Sequence, residues 1–367
     1  MGKQRLLSLD VFRGLAVIGM IFVNSVAVFH YGTTIPAYGI FLHAPWAGLT
    51  VADLVFPFFI FMVGVSLPFA LGHVKSDDGG STRSLVAKLF KRAALLFLIG
   101  LALTLSFADW SEPIRLLGVL QRIGLTFLGA AIFFIGYGWR AQIAVILVIL
   151  VGYHFLQMIP IPDAPVDLLA PGQNYSSWFD RFILGSHVYA RNAEIPFEPE
   201  GLLGTLPSIA QALMGALTGS LIRAKGCTGR TLCQMCAVGL FLTLLGFGLA
   251  PFHPIVKATW SSTFVLATSG LALLVFTALI WCLDVKGWRG PLTSFAQAFG
   301  INAITAYVVH TYLMGPLLLN GITESLQDSL AATLPAEFAM LVPVMIVVLA
   351  SWLPVAIMKR KGIILKV

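Results

Sequence analysis

Charge is what this chain has least of. Only 11% of its 367 residues are Asp, Glu, Lys or Arg, against about a quarter in soluble globular domains. A water-facing surface cannot be built from so few, which excludes one or several soluble domains. No lysine or arginine at all occurs between Arg13 and Lys75. Cysteine is equally scarce, at Cys227, Cys233, Cys236 and Cys282. Cys233 and Cys236 form a lone CxxC, short of the four ligands of a structural zinc site, and all four read as small residues of apolar spans. No P-loop, GxGxxG, GxSxG or HExxH occurs, and the seven histidines show no metal-ligand spacing. No metal is expected. The first apolar run, which opens with SLDVFRG, has no small-residue cleavage site behind it, so no cleavable signal peptide is expected either.

What fills the chain instead is apolar sequence, 58% by residue type, with a mean hydropathy of +0.90. The long runs predict an all-α, polytopic helical membrane protein, because helices satisfy their own backbone polar groups in lipid. Ten spans are expected, at roughly 7–29, 49–72, 86–107, 117–136, 140–158, 202–223, 231–250, 262–283, 294–316 and 337–357. Residues 1–367 then form one transmembrane domain. The longest connection, 159–201, is expected as an ordered extracytoplasmic cap, since it carries the aromatics Tyr175, Trp178, Phe179 and Tyr189.

Charge sets the orientation. On this count Lys3, Arg5 and Arg13, then Lys75, Arg83, Lys88, Lys91 and Arg92, then Arg140, then Arg223, Lys225 and Arg230, then Lys286 and Arg289, then Lys359, Arg360, Lys361 and Lys366 share one side. That is 18 of the 23 basic residues. By the positive-inside rule this side, with both termini, is cytoplasmic. Ten helical spans point to a bacterial inner membrane. The net charge of +7 follows from this bias, and no nucleic-acid partner is expected.

Chemistry concentrates in HAPWAGLTVADLVFPFFIFMVG at 43–64. Asp53 falls inside the expected second span, with no nearby cation in sequence. A carboxylate in hydrocarbon costs about 2.5–3.5 kcal/mol on insertion scales and marks a functional site by default; the bland alternatives are a cap at the start of its helix or a pairing with a distant basic residue. His43 precedes that span on the outer side, and Asn24 nears the outer end of the first. Imidazole, carboxylate and amide are the parts of nucleophilic or general-base catalysis, with the carboxylate holding the imidazole tautomer and the amide facing an oxyanion. Elsewhere, Asn302 and His310 are eight residues apart in the ninth span and share a broad face. Arg122 lies in an apolar span that must supply it a partner. Asp10 and Arg13 have helical ion-pair spacing.

These residues sit in motifs that, taken together, resemble the heparan-α-glucosaminide N-acetyltransferase family of transmembrane acetyltransferases, in a bacterial form. The resemblance is carried by SLDVFRG at 8–14, FVN at 22–24, the 43–64 motif, LGVLQRI at 117–123, PEGLLGTLPSI at 199–209, TWSSTFVLATSG at 259–270, DVKG at 284–287 and GINAITAYVVH at 300–310. It implies vectorial transfer of acetyl from cytoplasmic acetyl-CoA to the amine of a glucosamine-type sugar on the far side. His43, Asp53 and Asn24 fall on the family's catalytic positions. Asn302, His310 and Arg122 become candidates for binding acetyl-CoA, and Lys88 and Arg92 for its phosphates. Trp46, Glu200 and Trp260 become candidates for the acceptor sugar. An acetyl-histidine intermediate and direct transfer in a ternary complex are both compatible with these residues, and so is a homodimer. The large lumenal domain and extra leading span of the animal enzymes have no match here. The stretch between Asn24 and His43 is longer, and Pro45 and Ala47 differ, all of which bear on acceptor identity. The competing function is a secondary transporter for an amino sugar, which would also need polar groups inside spans but would show matched broken helices.

Overall fold

The computed structural model describes residues 6–33, 35–72, 82–319 and 321–365. Of the basic residues used for orientation, Lys3, Arg5, Lys75 and Lys366 lie outside these. The described chain is helical: α1 Leu7–Thr33, α2 Val55–Leu71, α3 Thr82–Ser106, α4 Val119–Gly136, α5 Trp139–Gln157, α6 Tyr175–Leu184, α7 Thr205–Lys225, α8 Gly229–Leu249, α9 Ser262–Leu279, α10 Pro291–Ile301, α11 Ala303–Leu319, α12 Ile322–Ala331 and α13 Ala336–Arg360. A short 3₁₀ turn covers Gly39–Phe41, and a π-helical turn, Ile280–Val285, extends α9. Among the described residues the one β-type contact is an isolated bridge between Ala47 and Val256.

Eight helices among the described residues are long and apolar enough to cross a membrane, nine if α10 and α11 count as one broken span. Each expected segment holds a helix, with two departures. The second helix begins at Val55 rather than near 49, so Asp53 sits in the turn ahead of it. The ninth is not one helix: α10 and α11 meet at 88°, with Asn302 between them. The shared face expected for Asn302 and His310 therefore does not form, because only His310 lies on α11.

Residues exposed on these helices are those a bilayer would cover. On α5 Leu147, Val148 and Val151, and on α8 Leu240, Phe241 and Leu244, are each more than half exposed. Lipid tails solvate such faces as well as another helix does, so helices associate through close packing and hydrogen bonds rather than hydrophobic burial.

The chain divides into two compact units, Met1–Ala44 with Leu49–Phe59 and Ala278–Val367, and Pro45–Gly48 with Ile60–Thr277. In the first, α1 packs along α10, α11 and α13. A Cβ on Gly14 would stand 1.8 Å from the Ala296 carbonyl oxygen, and one on Gly300 1.8 Å from that of Asp10. Only hydrogen fits at this crossing, and the two backbones touch. Arg13 reaches the Gly300 carbonyl at 3.3 Å and Asp10 at 3.8 Å. The start of α1 is capped from afar: Asp284 accepts from Leu7 N at 3.0 Å and Ser8 N at 3.2 Å, which satisfies two of the helix's orphan donors. At the α10–α11 elbow the Asn302 amide donates to Ile363 O at 3.0 Å and accepts from Leu365 N at 3.1 Å. One side chain thus takes up both kinds of backbone group from the tail.

In the second unit α3 packs on α4, and α4 and α5 on α7. Here too glycine permits contact: a Cβ on Gly64 would meet Ala212 O at 1.8 Å, and one on Gly215 would meet Phe61 O at 2.1 Å. The 159–201 connection is laced together. Asn174 caps α6 through Ser177 N at 2.9 Å, and Arg181 forks onto Asp163 with two 2.8 Å bonds.

Candidate active site

Asp53 is 1% exposed, and four contacts define its role. One oxygen, Oδ1, lies 2.8 Å from His43 Nδ1. The other, Oδ2, accepts from Ala44 N at 3.1 Å, Thr50 N at 3.1 Å and Thr50 Oγ1 at 3.0 Å. Three donors on Oδ2 fix the carboxylate plane and aim Oδ1 at the imidazole. Asp53 does cap backbone, but of the loop that carries His43 rather than of α2. Thr50 Oγ1 also lies 2.8 Å from Leu42 O, so its one proton is shared between that carbonyl and Oδ2, and the residue before His43 is tied to the same clasp. The His43 side chain is 38% exposed. With Asp53 holding Nδ1–H, the neutral ring carries its lone pair on Nε2.

Asn24 is half-buried on α1, two residues past Phe22, whose ring meets Phe41 edge-on at 5.0 Å. This stretch of α1 thus packs on the 3₁₀ turn that leads into His43. Also in this unit, His310 is 1% exposed and its Nδ1 donates to Tyr307 O at 2.5 Å, while Asn302 is engaged with the tail.

The second unit holds Arg122, Glu200, Trp260 and Trp46, together with residues that the sequence did not single out. Arg122, 1% exposed, donates to Gly201 O at 3.0 Å and lies 4.9 Å over the Trp260 ring. Its Nε and Nη1 have no hydrogen-bond partner among the described residues. Trp260 has φ of 55°, the one non-glycine among the described residues with positive φ. It is held there by Nε1 to Gln211 Oε1 at 3.0 Å and by Tyr153 Oη donating to Thr259 O at 2.6 Å. A side chain kept in this region stores strain, commonly at functional sites. Trp46 is buried, donates to Leu168 O at 3.0 Å and meets Phe197 edge-on at 5.1 Å; the next residues pair with Ile255 and Val256.

Arg115 bonds both Glu198 and Glu200. Burial would raise the Glu200 carboxyl, but Arg115, Arg122 and Lys257 together outweigh it and hold the pKa low. Burial pushes the Glu198 carboxyl up despite its bonds to Arg115. Asp180 accepts from Leu202 N at 2.7 Å, and burial raises its pKa to about 7. A Cβ on Gly201 would lie 1.7 Å from Asp180 Oδ2, so Asp180 and Arg122 grip the same glycine turn ahead of α7.

Lys88 and Arg92 stand apart, exposed on α3, with Arg92 stacked 4.7 Å over Phe127. Thr50 carried a faint signal, a Thr three residues before an acid, the spacing of capping motifs. Arg115, Asp180 and Glu198 carried none, because their meaning depends on contacts distant in sequence. Among the described residues no three His, Cys, Asp or Glu side chains gather as a metal site.

The family model described as heparan-alpha-glucosaminide N-acetyltransferase, catalytic, matches residues 5–248. The heparan-alpha-glucosaminide N-acetyltransferase of Mus musculus is 31% identical over 365 residues, covering 84% of this chain and 54% of the relative. The Homo sapiens protein of the same name is 31% identical over 364 residues, covering 83% and 52%. The chain spans about half the length of the curated relatives it matches.

Proposed function

Because the chain belongs to the heparan-alpha-glucosaminide N-acetyltransferase catalytic family, we propose that it transfers acetyl from acetyl-CoA to the amine of a glucosamine-type sugar, with His43 at the reacting centre. The observation that carries this is the His43–Asp53 clasp, with one oxygen locked by three donors and the other on imidazole Nδ1. Oriented in this way, Nε2 is a base or a nucleophile. As a base it takes the proton of the sugar amine while nitrogen attacks the thioester carbon, the C–N bond forming and the C–S bond breaking. As a nucleophile it forms the C–N bond to acetyl first and expels CoA thiolate; the amine then takes the acetyl and returns the imidazole. In both routes the Asp53 carboxylate steadies the positive ring. Asn24 is the amide assigned to the developing oxyanion.

Acetyl-CoA is taken to enter from the basic, cytoplasmic side; Lys88 and Arg92 are assigned to its phosphates, and Arg122, Asn302 and His310 are further candidates for binding it. Trp46, Glu200 and Trp260 are assigned to the acceptor, on the opposite face, in a multi-pass protein of the inner membrane with ten spans. An amino-sugar carrier would use two matched broken helices; among the described residues one bent pair occurs.

The test is radiolabelled acetyl-CoA with purified protein and a panel of amino sugars. His43→Ala is expected to lose transfer while its thermal melt stays near that of the parent. Normal turnover in that variant removes His43 from the mechanism. Quenching without acceptor separates the routes, since only the nucleophilic one leaves label on the protein.

A further inference from the structure

A cleft of about 470 Å³ opens in the second unit where four helix ends meet, those of α2, α4 and α7 and the start of α5. Pro68, Gly72, Phe134, Gly138, Trp139 and Arg223 line it. Its size falls in the range of small-molecule sites, about 300–1,000 Å³. The wall is mostly apolar; its polar side chains are Gln142, Ser220 and Arg223, and the Arg223 guanidinium donates to Pro68 O at 2.8 Å. Gly72 makes room for it, since a Cβ there would stand 1.2 Å from Arg223 Nη1.

Among the described residues charge is polarised along this unit. Its described acids, Asp109, Glu112, Asp163, Asp167, Asp180, Glu194, Glu198 and Glu200, all precede α4, follow α5 or precede α7. They lie at the ends opposite the cleft, about 28 Å away over the 19 residues of α5. The cleft end carries Arg223 with Lys225 in the last turn of α7, Arg230 in the first turn of α8, and Arg140 stacked 5.2 Å over Trp139. Trp139 is 59% exposed at the start of α5, the helix whose aliphatic face is outermost. A Trp–Arg pair at the end of such a helix belongs at the headgroup level of a bilayer.

We propose that this cleft binds an anionic glycerophospholipid, its phosphate on Arg223 and the upper part of one acyl chain against Pro68, Phe134 and Trp139. A hydrated phosphate gains nothing from an apolar wall, and a neutral lipid gains nothing from the surrounding cations; an acidic amphiphile uses both.

The experiment measures the thermal melt of delipidated protein in detergent against dioleoylphosphatidylglycerol, dioleoylphosphatidylcholine, inorganic phosphate and CoA. Phosphatidylglycerol is expected to stabilise and the other three not to. Arg223→Gln is expected to weaken phosphatidylglycerol binding by about tenfold or more, while Lys225→Gln, further out, keeps the preference. Should Arg223→Gln misfold, Gly138→Leu decides: a Cβ at Gly138, which lines the cleft, meets no atom within 4 Å, so a leucine there is expected to occupy part of the cleft with the melt of the lipid-free protein unchanged and lipid binding lost. Equal stabilisation by both lipids, binding retained in Gly138→Leu, or the same stabilisation from phosphate or CoA overturns the proposal, the last reassigning the cleft to the acetyl donor.

Discussion

Replacing Asp53 by Asn changes one atom and should reverse the proton on His43. Ala44 N, Thr50 N and Thr50 Oγ1 all donate to Oδ2. In the Asp53→Asn variant the amide oxygen must take that position, because an NH2 there would confront two backbone N–H donors. The NH2 is then left facing His43 Nδ1, where the carboxylate oxygen stood 2.8 Å away. Nδ1 must accept, its proton moves to Nε2, and the lone pair that the proposed base or nucleophile uses is gone. Loss of tautomer control in a triad costs about 10⁴-fold in kcat, which is about 5 kcal/mol of barrier. The shape is nearly conserved, so the melt should move far less than activity does. Thr50→Val is the graded companion. It leaves the two backbone donors and deletes the hydroxyl whose one proton serves both Oδ2 and Leu42 O, a bond to a charged group being worth about 1.5–3 kcal/mol, with about a tenfold loss of rate expected and Thr50→Ser restoring it. Both are read with acetyl-CoA and glucosamine at saturating concentrations, beside a melt of each variant. Asp53→Asn retaining a tenth or more of parental kcat would refute this account of the tautomer.

Other outcomes follow from packing and charge. Arg115→Gln leaves Glu198 and Glu200 without their shared cation; breaking a buried ion pair costs about 3–5 kcal/mol, read as a large fall in the melting temperature at neutral pH. Gly300→Leu forces α1 and α10 apart at a backbone contact and is expected to reduce the yield of folded protein, whereas Gly248→Leu, where a Cβ meets nothing within 4 Å, is expected to be neutral. Asp180 holds its proton to about pH 7 when folded and gives it up near about pH 4 when unfolded. Between these values the unfolded state binds fewer protons, so this group makes stability fall as pH rises from about 4 to 7, and level off above. Asp180→Asn keeps an acceptor for Leu202 N and should flatten that part of a melt-versus-pH curve.

Hydropathy located the helices because lipid demands long apolar runs, and the His43–Asp53 pairing was legible because a short stretch of local sequence separates them. The start of α2 was not, since Thr50-Val51-Ala52 looks as apolar as the helix that follows. The elbow at Asn302 has no proline and lies in an apolar run; it forms because Asn302 finds partners 61 and 63 residues away, which no window of sequence contains. Arg122 announced that it needed a partner, but not that the partner would be the Gly201 carbonyl and a strained tryptophan. The division of labour was thus visible wherever it rested on neighbours in the chain, and hidden wherever it rested on loops meeting from afar.

The amide of Asn302 grips the main chain of residues 363 and 365 and none of their side chains. Identity in that tail can drift through many generations at little cost, while spacing cannot. One residue gained or lost between Arg360 and Ile363 would slide the wrong carbonyl and the wrong N–H under the clamp, so in relatives the count of residues there should be kept more strictly than their names.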